Sequence, residues 1–209
     1  MVFALTTMQI WFIVIASVIG AIILLILILV PTMRFIHRRY YKKYYYRLIY
    51  RIALYNDYYL VNNFVFRLNQ NDQTTIDHIL FGEKFIYVIM DNYFAGDLLG
   101  NAEDQSLVLI NKNGSKNYVN NPYYSFNSLL SRFAAATGIS TDLMVGVTIV
   151  NNNCRMSITS NSKQFFMVQR KQFRKLVKLV ESRDIGDINA DRLQAAVLLV
   201  DEMNRKNKK

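Results

Sequence analysis

No acidic side chain precedes Asp57, and between Met8 and Val30 there is no charged side chain of either sign. The second absence excludes an ordinary water-facing helix there, since "IWFIVIASVIGAIILLILILV" is almost wholly aliphatic and such helices are seldom apolar on every side for six turns. No basic stretch precedes this run and no small-x-small cleavage pattern closes it, which argues against a removable signal peptide. The run is long enough for the roughly 30 Å hydrocarbon layer of a bilayer. Cysteine is nearly absent. The single Cys154 excludes an internal disulfide and suits a reducing compartment. With only two histidines, His37 and His78, far apart in the chain, a cysteine-ligated structural zinc is also excluded. No internal repeat is present, and "GDLLG" lacks the Lys-Ser/Thr that a phosphate loop requires.

The missing acids make the positive charge local. Of 25 Lys and Arg, seven fall at Arg34, Arg38, Arg39, Lys42, Lys43, Arg47 and Arg51, and four in the tail "RKNKK". The other 14 face all 15 acids, so the rest of the chain sums to −1 and the overall +10 describes the neck and the tail. Cations crowded after an apolar helix place that side in the cytoplasm by the positive-inside rule. The expectation is a single-pass protein of the cell membrane with a cytoplasmic soluble domain. Segments 1–31, 32–56, 57–204 and 205–209 are read as transmembrane anchor, basic-aromatic juxtamembrane helix, α/β domain and basic tail. In the neck, Tyr41, Tyr45, Leu48, Ile52, Tyr55 and Tyr59 recur at helical spacing. Tyrosine and basic residues together suit the headgroup layer, so the seven neck cations are read as membrane-interface residues meeting anionic lipid. Base stacking and phosphate contact by the same residues is the alternative.

The soluble region alternates. "YLVNNFVFRL" predicts a strand before the polar turn "NQNDQ". "TTIDHILFG" and "KFIYVIMDNYF" predict a hairpin around Gly82, and "QSLVLINKNGSKNYV" a second one turning at "NKNG". "NNPYYSFNSLLSRFAAATGI" predicts a helix from Pro122 to a stop at Gly138. "LMVGVTIV", "CRMSI" and "FFMV" read as strands. "RKQFRKLVKLVESR" reads as an amphipathic helix burying Phe173, Leu176, Val177 and Val180, and "ADRLQAAVLLVDEMNR" as a last helix. The pattern is mixed α/β, strands first and helices covering the sheet.

Ile76 to about Val150 resembles the nuclease-related domain (NERD) family of the PD-(D/E)XK nuclease-like fold. "TTIDHILFG" resembles the family's Q-I-D-H strand, "FIYVIMDNYFAGDLLG" its G-I-F-V-I-E-T-K-N-Y-x-G segment, "NNPYYSFNSLL" its N-P-x-x-Q helix entry and "LMVGVTIVNN" the buried strand that follows. The resemblance implies a restriction-endonuclease-like mixed sheet flanked by helices. It also implies metal-assisted phosphodiester hydrolysis, in which carboxylates hold Mg²⁺, the metal activates water, and a lysine balances developing charge.

The residues depart from that chemistry. Asp77 stands where the family has its first acid, but Met90 replaces the glutamate and Asn92 the lysine. A thioether is a poor ligand for Mg²⁺, and a carboxamide brings no charge to a phosphate. Asp91 lies between them and faces away on a regular strand. The family's Gly-Glu pair falls in "KKYYYRLIY", which has no acid, and its glutamine falls at Ser125. Asp77, Met90 and Asn92 are therefore read as a degenerate site with no metal and no cofactor, Asp77 being a structural partner of His78. No Ser-His-Asp or Cys-His arrangement is indicated.

The resulting expectation is a catalytically inactive, membrane-anchored module that binds or scaffolds. Its partners are the lipid bilayer, anionic headgroups and proteins, with nucleic acid expected only by analogy with the family. Two alternatives stand. One is a metal-dependent nuclease with relocated acids, Asp77 with Asp91 or Asp97, using Mg²⁺. The other is a subunit of a membrane complex, packed through the small residues Ser17, Gly20 and Ala21. Arg170, Arg174 and Lys178 form a further basic strip, flanked by Lys171 and Lys175. It reads as a solvated helix face, or alternatively as a dock for phosphates of nucleic acid or lipid headgroups.

Overall fold

The structure, a computed structural model, describes residues 7–69 and 72–207. Gln70 and Asn71 in the predicted turn, the tail residues Lys208 and Lys209, and the side chain of Arg34 lie outside the described part. The chain divides into two compact units, Met1–Tyr41 and Lys42–Lys209.

In the first unit, helix α1 (Thr7–Asn56) begins with an apolar run, Met8–Met33, of 26 residues. At 1.5 Å per residue this run is about 39 Å long, enough to cross a membrane by length and composition. Its hydroxyls are satisfied within the helix: Ser17 Oγ donates to the Ile13 carbonyl at 2.8 Å and Thr32 Oγ1 to the Ile28 carbonyl at 2.6 Å. That is the arrangement hydrocarbon demands of polar groups. Pro31 sits inside the helix, and Tyr40 leaves helical geometry at φ −115°, ψ 19°.

The second unit starts inside α1. Tyr45, Ile49, Ile52 and Ala53 are buried, and their three- and four-residue spacing puts them on one face. The predicted tyrosine stripe is thus only half right. Tyr45 and Ile52 face the protein, Tyr55 is 74% exposed, and Tyr59 already belongs to a strand. The sequence boundary at residue 57 falls within this unit, because the neck helix supplies part of its core.

A five-stranded sheet follows the order β1 (Tyr59–Asn69), β2 (Asp72–Phe81), β3 (Ile86–Asp91), β7 (Met144–Val150), β9 (Phe165–Gln169). The first three strands are antiparallel, and β3, β7 and β9 are parallel. Every residue of β7 is buried, as its unbroken apolar sequence requires of a central parallel strand. Helices α2 (Pro122–Thr137) and α4 (Ala190–Asn207) cover β1. Phe64, Phe66 and Phe133 meet beneath them. Helix α2 is stopped as its sequence implies: Gly138 takes φ 70° and returns its N–H to the Ala134 carbonyl, a left-handed cap that favours glycine.

The single sheet expected from the strand pattern is two sheets. β4 (Asp97–Asn101), β5 (Ser106–Ile110), β6 (Lys116–Asn120) and β8 (Met156–Thr159) make a four-stranded mixed sheet in the order β6-β5-β4-β8. Its Leu98 and Leu107 pack with Cys154 and with Val150 and Met167 of the five-stranded sheet in a second, smaller core. β4 escapes a sequence reading because its five residues, "DLLGN", carry neither alternation nor a turn signature.

Helix α3 (Phe173–Glu181) buries the four apolar residues expected of it and is stapled to the β2–β3 hairpin. Glu181 accepts Tyr87 Oη–H at 2.7 Å and the Lys84 N–H at 2.9 Å. A side chain at Gly82 would displace this carboxylate and crowd the Phe85 carbonyl, so a larger residue there would disturb the staple. Burial raises the Glu181 pKa above its ordinary 4.5, partly opposed by the hydrogen bonds from Tyr87 and Lys84. A raised carboxyl contributes its stability below the unfolded value and loses it as pH climbs through the folded one. Melting curves at several pH values should therefore show wild type losing stability relative to Glu181→Gln as pH rises from about 4.5 towards neutral. Parallel curves would exclude Glu181 as the titrating group.

Candidate functional site

Strand register assembles one polar cluster. Asn62 on β1 is the partner of His78 on β2, and His78 is the partner of Ile89 on β3. Side chains alternate along a strand, so Asp91, two residues beyond Ile89, shares their face. His78 Nδ1 lies 2.6 Å from Asn62 Oδ1, and Nε2 lies 3.0 Å from Asp91 Oδ2. With Asn62 accepting, Nδ1 carries a proton. The Asp91 side chain is fully buried, and its other oxygen, Oδ1, has no hydrogen-bond partner. Burial raises the Asp91 pKa, and the contact with His78 opposes the rise.

Asp77, in the middle of β2, joins this cluster where the pairing of β2 with β3 ends. The β2–β3 pairing stops at His78 and Ile89, and the next N–H on β3, that of Asp91, is accepted by Asp77 Oδ2 at 2.9 Å. The carboxylate replaces a ladder carbonyl where the strands part. Opposite Asp77, Asn63 adopts φ 49°, a left-handed conformation that asparagine tolerates.

The neck helix covers the cluster. Lys42 Nζ donates to Asp77 Oδ1 at 2.8 Å. The Tyr46 ring stacks on His78, with centroids 6.2 Å apart at 26°. Tyr45 Oη donates to the Asn92 carbonyl at 3.3 Å. Lys42 is 60% exposed, so solvent screening limits the pair to about 1 kcal/mol at most. Its importance is positional. Lys42, Tyr46, Asn62, Asp77, His78 and Asp91 border a recess of about 420 Å³.

Sequence-named residues divide between two faces. Met90 and Asn92 share a face, as their spacing predicts, but line a separate cleft of about 660 Å³ together with Thr75, Ser125 and Arg132. Asp77 does not converge with them. Its partner is Asp91, which needs no bulge, because Asp91 already points to the recess. The expected Asp77–His78 pair is corrected as well: His78 bonds Asp91. Asp97 lies elsewhere, accepting the Arg155 N–H at 3.4 Å. The Cys154 thiol is buried and its pKa is pushed up to about 11 by burial, which makes it unreactive at neutral pH.

Among the described residues, no three His, Cys, Asp or Glu side chains are grouped to hold a metal ion. Mg²⁺ binds through one or two carboxylates and several waters. Here Asp77 is occupied at both oxygens, by Lys42 and the Asp91 N–H, and Asp91 at one, by His78. The residues as arranged do not fit the ion.

The basic residues are also redistributed. Arg38, Arg39, Lys43, Arg47 and Arg51 are exposed. Arg170 does not belong to the helix strip. It is half-buried in a 3₁₀ turn before α3, its guanidinium 5.9 Å above the Tyr44 ring. Arg174 and Lys178 stay exposed on α3.

The contribution of Lys42, Tyr46 and Asn62 was not readable from sequence. No motif links them, and they meet only because α1 packs on the strands. No family model and no curated protein matches this chain. Among solved structures, it is similar to a protein of unknown function, AF1548, at 10% identity and a TM-score of 0.31, over 64% of this chain and 54% of that one. This chain thus spans about half the length of that protein.

Proposed function

We propose that this chain is a single-pass protein of the cell membrane whose cytoplasmic, NERD-like α/β body acts by binding rather than hydrolysis. The observation that carries this reading is Lys42 Nζ held 2.8 Å from Asp77 Oδ1. A hydrolytic site of the family's kind needs Asp77 open to a metal, and an internal cation stands there instead. Met90 and Asn92 support the same conclusion, as they offer neither a hard ligand nor a positive charge. The basic neck after the apolar helix supports the cytoplasmic orientation. The cleft beside Met90 offers a protein partner both apolar surface and the amide and hydroxyl groups of Asn92 and Ser125, a mixture common in binding sites.

A second reading has one observation in its favour. Asp77 and Asp91 do come together, with Lys42 beside them and Asp91 Oδ1 unpartnered. If Lys42 swung away, the pair would be the relocated acids of a nuclease. Incubating the full-length protein in detergent with single- and double-stranded DNA and RNA, with Mg²⁺ or Mn²⁺, separates the two. The binding reading expects products no more abundant than in a blank, and no difference on Asp77→Ala. Metal-dependent cleavage that vanishes in both Asp77→Ala and Asp91→Ala would establish the nuclease.

A further inference from the structure

From Lys163 to Lys178 the chain carries six cations and no acid. The first acid to follow, Glu181, is turned inward onto Tyr87 and the hairpin. Phe173, Leu176, Val177 and Val180 take the inner side of α3. The outer side is left to Arg174, Lys175 and Lys178, preceded by Lys171 in the 3₁₀ turn, all exposed and spaced so that they continue one stripe. Leu179, 64% exposed, falls at the edge of that stripe, one 100° step beyond Lys178. With the apolar face turned into the body, the outer row of cations suits electrostatic contact with anionic headgroups.

The stripe does not stand alone. Arg170, at the start of the same segment, packs its guanidinium over Tyr44 of α1. From Tyr44, Arg47 and Arg51 continue along one helical face by spacing, and both are exposed. Through this contact the turn before α3 meets the neck helix, which carries its own exposed cations. Tyr44 follows Met33, the last residue of the apolar run, by eleven positions, so the chain between them reaches at most about 40 Å.

We propose that the outer face of α3 docks on anionic lipid headgroups of the membrane that Met8–Met33 crosses, as a second contact that holds the α/β body against the bilayer. The inference rests on the membrane-spanning reading of that helix. The span turns docking into an intramolecular event, so a surface too weak to bind vesicles alone is sufficient once tethered. Near an anionic leaflet each Lys or Arg contributes about a fivefold factor in binding. Docking is therefore set by the stripe and by lipid charge, and salt weakens it.

The full-length Leu179→Cys protein, labelled with an environment-sensitive fluorophore, tests this. Cys154 is buried and its thiol does not compete for the label. The protein is placed in nanodiscs of phosphatidylcholine alone or with added phosphatidylserine, and the label is quenched with neutral acrylamide. Shielding in the anionic discs is expected, with exposure in the neutral ones. Lys175→Gln should weaken the docked state by about fivefold, and Lys171→Gln, Arg174→Gln and Lys175→Gln together should abolish it. Equal quenching in both lipids overturns the proposal, as does shielding that ignores the triple substitution. Shielding by added DNA or RNA, without response to phosphatidylserine, also overturns it and makes the stripe a nucleic-acid surface. A chain that fails to co-elute with either disc refutes the membrane span itself, a result distinct from a retained chain with an exposed label.

Discussion

His78→Leu should destabilise the α/β body by about 3–5 kcal/mol, and adding Asp91→Leu should recover most of that loss. Among the described residues, His78 is the hydrogen-bonding partner of the Asp91 carboxylate, whose second oxygen is buried and unpartnered. Without the imidazole, a carboxyl with no side-chain exposure keeps no hydrogen bond. Removing both partners restores an apolar contact and leaves no stranded charge. The single variant also acquires a pH signature. Burial already raises the Asp91 pKa and His78 opposes the rise, so losing His78 raises it further. A raised carboxyl is stabilising while protonated and loses that contribution as pH rises through its folded value. The defect of His78→Leu should therefore be smaller in mild acid than at neutral pH. Urea midpoints followed by circular dichroism in mild detergent measure both effects. A double variant no more stable than His78→Leu would show that the pair is not an isolated charge contact.

Phe133→Ala should cost about 3–5 kcal/mol in the same measurement. Its ring is fully buried on α2. It meets Phe64 edge-on at 5.6 Å and 89°, and Phe66 at 6.0 Å and 70°. The loss combines the transfer energy of the ring with the cavity left between helix and strand, which rigid neighbours fill poorly. Tyr118→Ala, at a site 80% exposed, should stay within about 0.5 kcal/mol of wild type. Similar losses at the two positions would mean that the helix–sheet core around Phe133 is not packed as described.

Much of this architecture was legible because it depends on local rules. Alternation marked β1 and β2, and an unbroken apolar run marked β7. Pro122 and Gly138 bounded α2, and helical spacing selected the inner face of α3. The division into two sheets was not legible, since β4 and β8 are short and their parallel pairing joins residues nearly sixty positions apart. The candidate site was legible only in fragments. Asp77, Met90 and Asn92 were noticed through a resemblance, yet they sit on two faces of the sheet. Asp91 faces away from Met90, as adjacent strand residues do, and that side is where Asp77 delivers its carboxylate.

By itself the sequence determined an apolar helix able to cross a membrane, a basic neck, a mixed α/β body, and a methionine and an asparagine at positions 90 and 92. Each follows from composition or from a period of a few residues. Only the tertiary structure decided that Lys42 closes on Asp77, that His78 belongs to Asp91, and that Arg170 joins α3 to the neck. Those contacts join residues 35, 13 and 126 positions apart. Neither helical nor strand periodicity carries information over such separations. They exist because α1 buries Tyr45, Ile49 and Ile52 in the same body whose strands carry the charged groups.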